Sequence, residues 1–198
     1  MSATLQPFGL RPAYNTTGSV TNTRSYPNGI ASGYATGILK FQPVALNASG
    51  QIVAATVGAD IIGVFAGVKY VDASGIPHVY NQWIAGTTYV NSGNTITQGY
   101  GIEVAIWDDV NIVYDVQADG SVAQAIGGQV NLSNITAGST TTGLSAATAS
   151  ASSLTTSAQK QLRIVELSPV LGNLWGDAYT VLRVQIAQHE YIANKVAV

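Results

Sequence analysis

Two histidines, His78 and His189, and the acidic group Glu103, Asp108, Asp109, Asp115 and Asp119 are the side chains to test first for chemistry. Carboxylates this close in sequence could serve as a general acid–base pair or cage a hard cation such as Ca²⁺. Their spacing favours a plainer role. Asp108-Asp109 stands between two strand-like stretches, where acids are favoured for hydrogen bonds to nearby backbone, so a hairpin turn is expected there. No loop of the roughly 12-residue calcium-binding type surrounds it. His189-Glu190 lacks the second histidine of a metalloprotease helix, and no Gly-x-Ser-x-Gly elbow, phosphate-binding loop or dinucleotide fingerprint occurs. Both histidines are expected as partly exposed strand residues. With no cysteine there is neither a thiolate ligand nor a Cys nucleophile. The expectation is a protein that is not an enzyme, with no catalytic residue, no metal site and no cofactor.

Charge narrows the partners. The chain has eight basic and ten acidic residues among 198, a net charge of −2, and no Lys or Arg in residues 71–159. Ordinary domains carry about a quarter charged residues. Nucleic-acid binding needs clustered Lys and Arg to neutralise phosphates, so no nucleic-acid partner is expected. Gly, Ser, Thr and Asn interrupt every apolar stretch well short of the roughly 18 residues of a membrane span, so no membrane partner is expected either. Neutral polar groups are cheaper to desolvate than unpaired charges, which suits this surface to being packed against another. Asn-x-Ser/Thr matches at Asn15, Asn47, Asn131 and Asn134 read as composition, because no secretory signal is legible in the first 14 residues.

The elements that must position these groups read as short strands. Ile38 to Phe41 and Val44 to Leu46 flank Gln42-Pro43, and Asn47-Ala48-Ser49-Gly50 turns the chain into a strand over residues 51–56. A strand over 61–71 is followed by the turn Asp72-Ala73-Ser74-Gly75 and another strand over 76–83. Ile102, Val104 and Ile106 alternate with Glu103, Ala105 and Trp107. Ile112, Tyr114 and Val116 alternate with Val113, Asp115 and Gln117, and Leu182, Val184 and Ile186 with Arg183, Gln185 and Ala187. A single helical turn is expected over 122–126. At 198 residues the chain suits one all-β domain, a single sandwich or barrel.

Two segments fall outside that pattern. Residues 1–37 carry Arg11 and Arg24 with no acid, and Pro7, Pro12 and Pro27 with Gly9, Gly18 and Gly29 break regular structure. Phe8, Leu10, Tyr14 and Tyr26 give that stretch apolar anchors, so it reads as an extended arm docked on something, ahead of a β-rich body at 38–198. Residues 136–158 shrink to Gly, Ser, Thr, Ala and two leucines and read as a long loop, ordered by a partner.

Several pieces, in order, carry a resemblance. Phe8-Gly9-Leu10-Arg11-Pro12, Gln42-Pro43-Val44 with Gly50, Ile62-Gly63-Val64-Phe65-Ala66-Gly67-Val68-Lys69-Tyr70 and Tyr114-Asp115-Val116-Gln117-Ala118-Asp119-Gly120 resemble tailed-bacteriophage capsid proteins. More narrowly, the chain resembles head decoration, or cement, proteins. The likeness continues through Gly143-Leu144-Ser145 to Leu162-Arg163-Ile164-Val165.

The resemblance implies a β-sandwich or barrel of jelly-roll or related type on the outside of the virion shell, made in the host bacterial cytoplasm. It implies a dimer or trimer bound to the major capsid protein, with the N-terminal arm lying across neighbouring subunits. Contact is then expected at Phe8, Leu10, Arg11 and Pro12, with Tyr14 and Arg24 completing the arm's set. The family carries no catalytic residues. The alternative is a phage tail, spike or fibre module that binds glycans through its tyrosines and tryptophans. A major capsid protein would need a long helix that this sequence lacks, and a depolymerase would need a converging carboxylate pair.

Overall fold

The structure, a computed structural model, describes residues 4–27, 29–90 and 101–192. It is all-β: seventeen strands and one 3₁₀ turn at Ala151–Ser153, with no α-helix among the described residues. In chain order the first are β1 (Arg11–Asn15), β2 (Arg24–Tyr26), β3 (Ile38–Leu39), β4 (Pro43–Leu46), β5 (Ile52–Ala54) and β6 (Gly63–Val71). There follow β7 (Pro77–Tyr80), β8 (Gln82–Trp83), β9 (Glu103–Trp107), β10 (Ile112–Gln117), β11 (Gln129–Val130) and β12 (Leu132–Ser133). The last are β13 (Gly138–Ser139), β14 (Leu144–Ser145), β15 (Thr148–Ala149), β16 (Leu162–Leu167) and β17 (Val181–Ile186).

Two antiparallel sheets of sandwich or barrel type dominate. One has the order β1-β10-β17-β16-β11; the other runs β2-β9-β6-β4-β5, with β7 also on β6. The alternation read from sequence decides which face of each strand is apolar. Ile112, Tyr114 and Val116 of β10 and Leu182, Val184 and Ile186 of β17 line one core, closed over by Leu10, Ile61, Val64, Leu132 and Ala149. Val104 and Ile106 of β9 line a second, with Phe65, Val68, Val44, Ile52, Ile30, Ile38 and Trp83. Each large apolar side chain so buried contributes about 1.5–3 kcal/mol before the entropy of ordering is charged against it.

Local chemistry explains several elements. Pro12 is tolerated because β1 is an edge strand, and Pro43 because it opens β4. The Asn47 to Gly50 turn forms as expected: Asn47 Oδ1 accepts the N–H groups of Ser49 and Gln51, each at 2.9 Å, and β4 pairs with β5. The Asp72 to Gly75 turn does the same work between β6 and β7, with Asp72 Oδ1 accepting from Ser74 and Ile76.

Four expectations are corrected. Asp108-Asp109 does not turn a hairpin: β9 pairs with β6 and β2, β10 with β1 and β17, so the two acids sit where the chain crosses between sheets. Residues 122–126 form no helical turn. Residues 136–158 are ordered by the chain itself. β13 and β14 pair, β15 pairs with β12, and Ala147, Thr148 and Ala149 are buried, their small side chains fitting under the main sheet. Finally, the described part of residues 1–37 is extended but docks on its own body. β1 and β2 are edge strands of the two sheets, while Leu10 and Ile30 are fully buried in the two cores. Residues 1–3 and 28 of that expected arm lie outside the described residues.

Candidate interaction surfaces

The acidic group is dispersed, each member with partners of its own. Asp108 Oδ2 accepts the Tyr26 hydroxyl at 2.5 Å and pairs with Arg24 at 3.4 Å. Burial, then the Asp108 hydrogen bond, pushes the Tyr26 phenol far above its ordinary range. Asp109 accepts Asn15 Nδ2 at 2.6 Å and the Asn111 N–H at 2.9 Å. Asp115 pairs with Arg183, Glu103 with Lys69, and Asp119 accepts from Ser133 Oγ and the Ala151 N–H. Among the described residues, no three His, Cys, Asp or Glu side chains converge as a metal site.

The histidines differ from each other. His78 is partly exposed on β7, as expected, its Nε2 lying 2.9 Å from Asp72 Oδ2 and its ring stacked on Tyr70. His189 is only 2 % exposed and lies beyond β17, not within a strand. Its Nε2 reaches the Asp108 carbonyl at 3.1 Å and its Nδ1 accepts the Tyr191 N–H at 3.2 Å, so it ties the chain's end to the sheet crossover.

The six residues expected to contact a partner are not one cluster. Leu10 is in the core and therefore withdrawn from any docking surface, the physical reason being its burial beside Val64 and Ile112. Tyr14 donates its hydroxyl to Glu166 Oε1 at 2.9 Å on the outer face of the five-stranded sheet, where Arg183 Nη1 also reaches that oxygen. Arg24 lies on β2 of the other sheet against Asp108. Only Phe8, Arg11 and Pro12 stay together at a surface. There Arg11 Cζ stands 4.8 Å from the centre of the Phe8 ring and 5.7 Å from that of Phe41.

Phe41 itself is unusual. Its φ is 69°, a left-handed conformation that costs a non-glycine residue about 1–2 kcal/mol. Its N–H donates to the Phe65 carbonyl at 2.8 Å, and its own carbonyl accepts the Leu10 N–H at 2.9 Å. The ring stacks on Trp107 with centroids 5.6 Å apart, and Lys40 Nζ lies 5.2 Å from it.

A second surface was missed by sequence reasoning. The loop between β16 and β17 presents Val170, Leu174 and Leu171, the last fully exposed at 101 %, with no charged residue from Ser168 to Gly176. The loop is tied rather than loose. Buried Asn173 donates to the carbonyls of Ser168 and Val181, both at 2.8 Å, and accepts the Val181 N–H at 3.0 Å. Asp177 Oδ2 accepts the Leu174 N–H, and Gly172 and Gly176 take the positive φ that the turns require. The available signal was a run of apolar residues, Val170, Leu171, Leu174 and Trp175, set inside turn chemistry.

No protein-family model, no curated protein and no solved structure matches this chain.

Proposed function

We propose that this chain is a structural binding protein that docks its uncharged surface on a larger protein assembly. The observation that carries this reading is the Val170, Leu171 and Leu174 tip, held out by the hydrogen bonds of Asn173. A leucine left in water forgoes about 1.5–3 kcal/mol of burial, and a rigid loop recovers it at an interface with little further ordering cost. The assembly proposed is the shell of a tailed phage, on the strength of the resemblance to head decoration proteins. In that role the protein, as a homo-oligomer on the capsid exterior, bridges major capsid subunits. A ligand that binds only the expanded shell stabilises that form, and several weak contacts on one lattice gain by multivalency.

The test is rebinding of the purified protein to expanded shells stripped of it, followed by sedimentation and electron microscopy. Repeated protrusions at symmetry positions are expected, with Leu171→Ser losing occupancy while its urea midpoint stays put. Absence of any shell binding by the native chain would sink the reading. A glycan-binding module is the second reading. It is favoured by a shallow groove of about 480 Å³ on the six-stranded sheet, where Tyr80 and Asn81 stand with Thr23, Ser25, Lys69 and Glu103. Glycan-array binding without shell affinity would select it.

A further inference from the structure

Cations are scarce in this chain, and most of those with partners are easily accounted for. Arg24 meets Asp108, Lys69 meets Glu103, and Arg183 meets both Asp115 and Glu166. Arg11 and Lys40 have no ion-pair partner among the described residues, and yet both lean on the ring of Phe41. Arg11 has a carboxylate opposite it in register, Asp115, but that carboxylate is engaged by Arg183 Nε at 3.4 Å. The Arg11 guanidinium turns instead to the aromatic pair Phe8 and Phe41.

We propose that Phe8, Arg11, Lys40, Phe41 and Trp107 form a docking platform for the carboxylate of an acidic segment in a partner protein. Stacking on an aromatic ring uses the flat face of a guanidinium and leaves its in-plane N–H donors free, in the fork geometry that fits a carboxylate. Lys40 supplies a second positive charge on the same ring, and the stack of Phe41 on Trp107 fixes that ring in place. The left-handed backbone at Phe41 is what brings the pieces together: its carbonyl holds Leu10, and hence the turn that carries Phe8 and Arg11. The strained backbone at Phe41 thus serves packing, through Leu10 and the core beneath the ring, and at the same time holds a partly exposed aromatic beside two cations that have no ion-pair partner among the described residues.

Charge decides the class of partner. Two cations amid aromatic surface on a chain of net charge −2 suit one carboxylate flanked by apolar residues. A polyphosphate backbone needs a longer run of positive charge. The inference rests on the reading of the chain as a protein that docks on an assembly, and it names the chemistry of one contact.

The experiment titrates the full, ¹⁵N-labelled chain with a blocked Leu-Asp-Leu peptide and with its Leu-Asn-Leu counterpart. The Arg11 Nε–H and Trp107 Nε1–H resonances are followed. Saturable shifts of both with the Asp peptide are expected, weakened about tenfold with the Asn peptide and in Arg11→Gln or Lys40→Gln. Equal binding of the two peptides, or no saturation, overturns the platform. Stronger binding of single-stranded oligonucleotide overturns the partner class, and so does an oligomer that falls apart in the Arg11→Gln/Lys40→Gln double variant. The titration needs no shell: a failed titration with intact shell binding condemns the platform alone. Intact peptide binding without shell binding condemns the assembly reading alone.

Discussion

Gly9 and Phe41 meet backbone to backbone, with positive φ values of 72° and 69°, and a Cβ placed on Gly9 would collide with the Phe41 carbonyl oxygen. That carbonyl also accepts the Leu10 N–H, so the collision cannot be relieved without pulling Leu10 from the core. Gly9→Ala is therefore expected to cost about 1–3 kcal/mol more than Gly18→Ala. Gly18 has a similar φ, 76°, but open space around it, so its substitution carries only the conformational cost of about 1–2 kcal/mol. Urea denaturation of the two variants measures the difference; equal midpoints would show that the contact does not constrain the fold.

Asn173 adds three hydrogen bonds to the backbone of the β16–β17 connection, beside the Ser168 N–H that the Val181 carbonyl also accepts at 3.1 Å. Asn173→Ala leaves the Ser168 and Val181 carbonyls and the Val181 N–H without this partner in a buried setting. A loss of about 2–4 kcal/mol is expected. Hydrogen exchange at the Val181 amide locates it: protection there should fall well before that of Val184 at mid-strand.

How much of this was legible follows the range of the interactions. Alternation in Ile102 to Trp107 and Leu182 to Ile186 gave the strands and their inner faces, because pleating couples sequence parity to burial within a few residues. Ile112 to Gln117, which alternates in the same way, is instead buried on both faces, with Val113 at 0 % and Gln117 at 3 % exposure. Asp108-Asp109 reads locally as a hairpin, and nothing local tells that β9 finds its partner at Phe65 and Val68 while β10 finds Val184. Leu10 looked like a sticky anchor on an arm; its burial depends on Val64 and Ile112, far along the chain. Residues 147–149 were hidden differently: Ala-Thr-Ala carries no hydrophobic signal, yet all three are buried, with Ala149 in the core cluster beside Ile112, Tyr114 and Val116 of β10. The candidate surfaces were the least legible part, since exposure of Leu171 and the convergence of Arg11 with Lys40 on Phe41 exist only in three dimensions.

The acid limb of the stability profile should separate two kinds of carboxylate. Glu166 is held below its ordinary 4.5 by the Arg183 hydrogen bond and then by Tyr14, and Asp109 below 3.8 by the Asn111 N–H and then Asn15. A carboxylate with a lowered folded value stabilises fully above its unfolded value, and that contribution is lost as pH falls through the folded one. Stability should thus decline below about pH 4.5, and Glu166→Gln should be destabilised at pH 7 but converge on the native chain in acid. Glu190 has the opposite sign: burial raises it, so its ionised form weakens the fold at neutral pH. Glu190→Gln, which keeps the acceptor for the Leu46 N–H, should be more stable than the native chain at pH 7 and lose that advantage in acid. Urea midpoints across pH 3–8 for both variants check the signs, and parallel curves would refute them.

Asp119 anchors the segment that composition alone would leave loose. Its two oxygens accept the Ala151 N–H and the Ser133 hydroxyl, each at 2.8 Å, and its own N–H donates to the Ala149 carbonyl at 2.9 Å. These bonds join β12, β15 and the 3₁₀ turn to the end of β10, alongside the buried Leu132 of β12 and the small buried side chains of residues 147–149. Hydrogen bonds to a charged acceptor contribute about 1.5–3 kcal/mol, so removing this carboxylate is expected to loosen the segment beyond what its packing alone resists. Asp119→Ala should raise the open population of residues 136–158 by about tenfold or more, and elastase cleavage there should accelerate in proportion while the β-sheet circular dichroism is retained. Asp60→Ala, at an exposed position, serves as the control and should cut at the native rate. Equal cleavage of the two variants would mean that the buried Ala147, Thr148 and Ala149 hold the segment without Asp119, and that small-residue packing outweighs the charged hydrogen bonds.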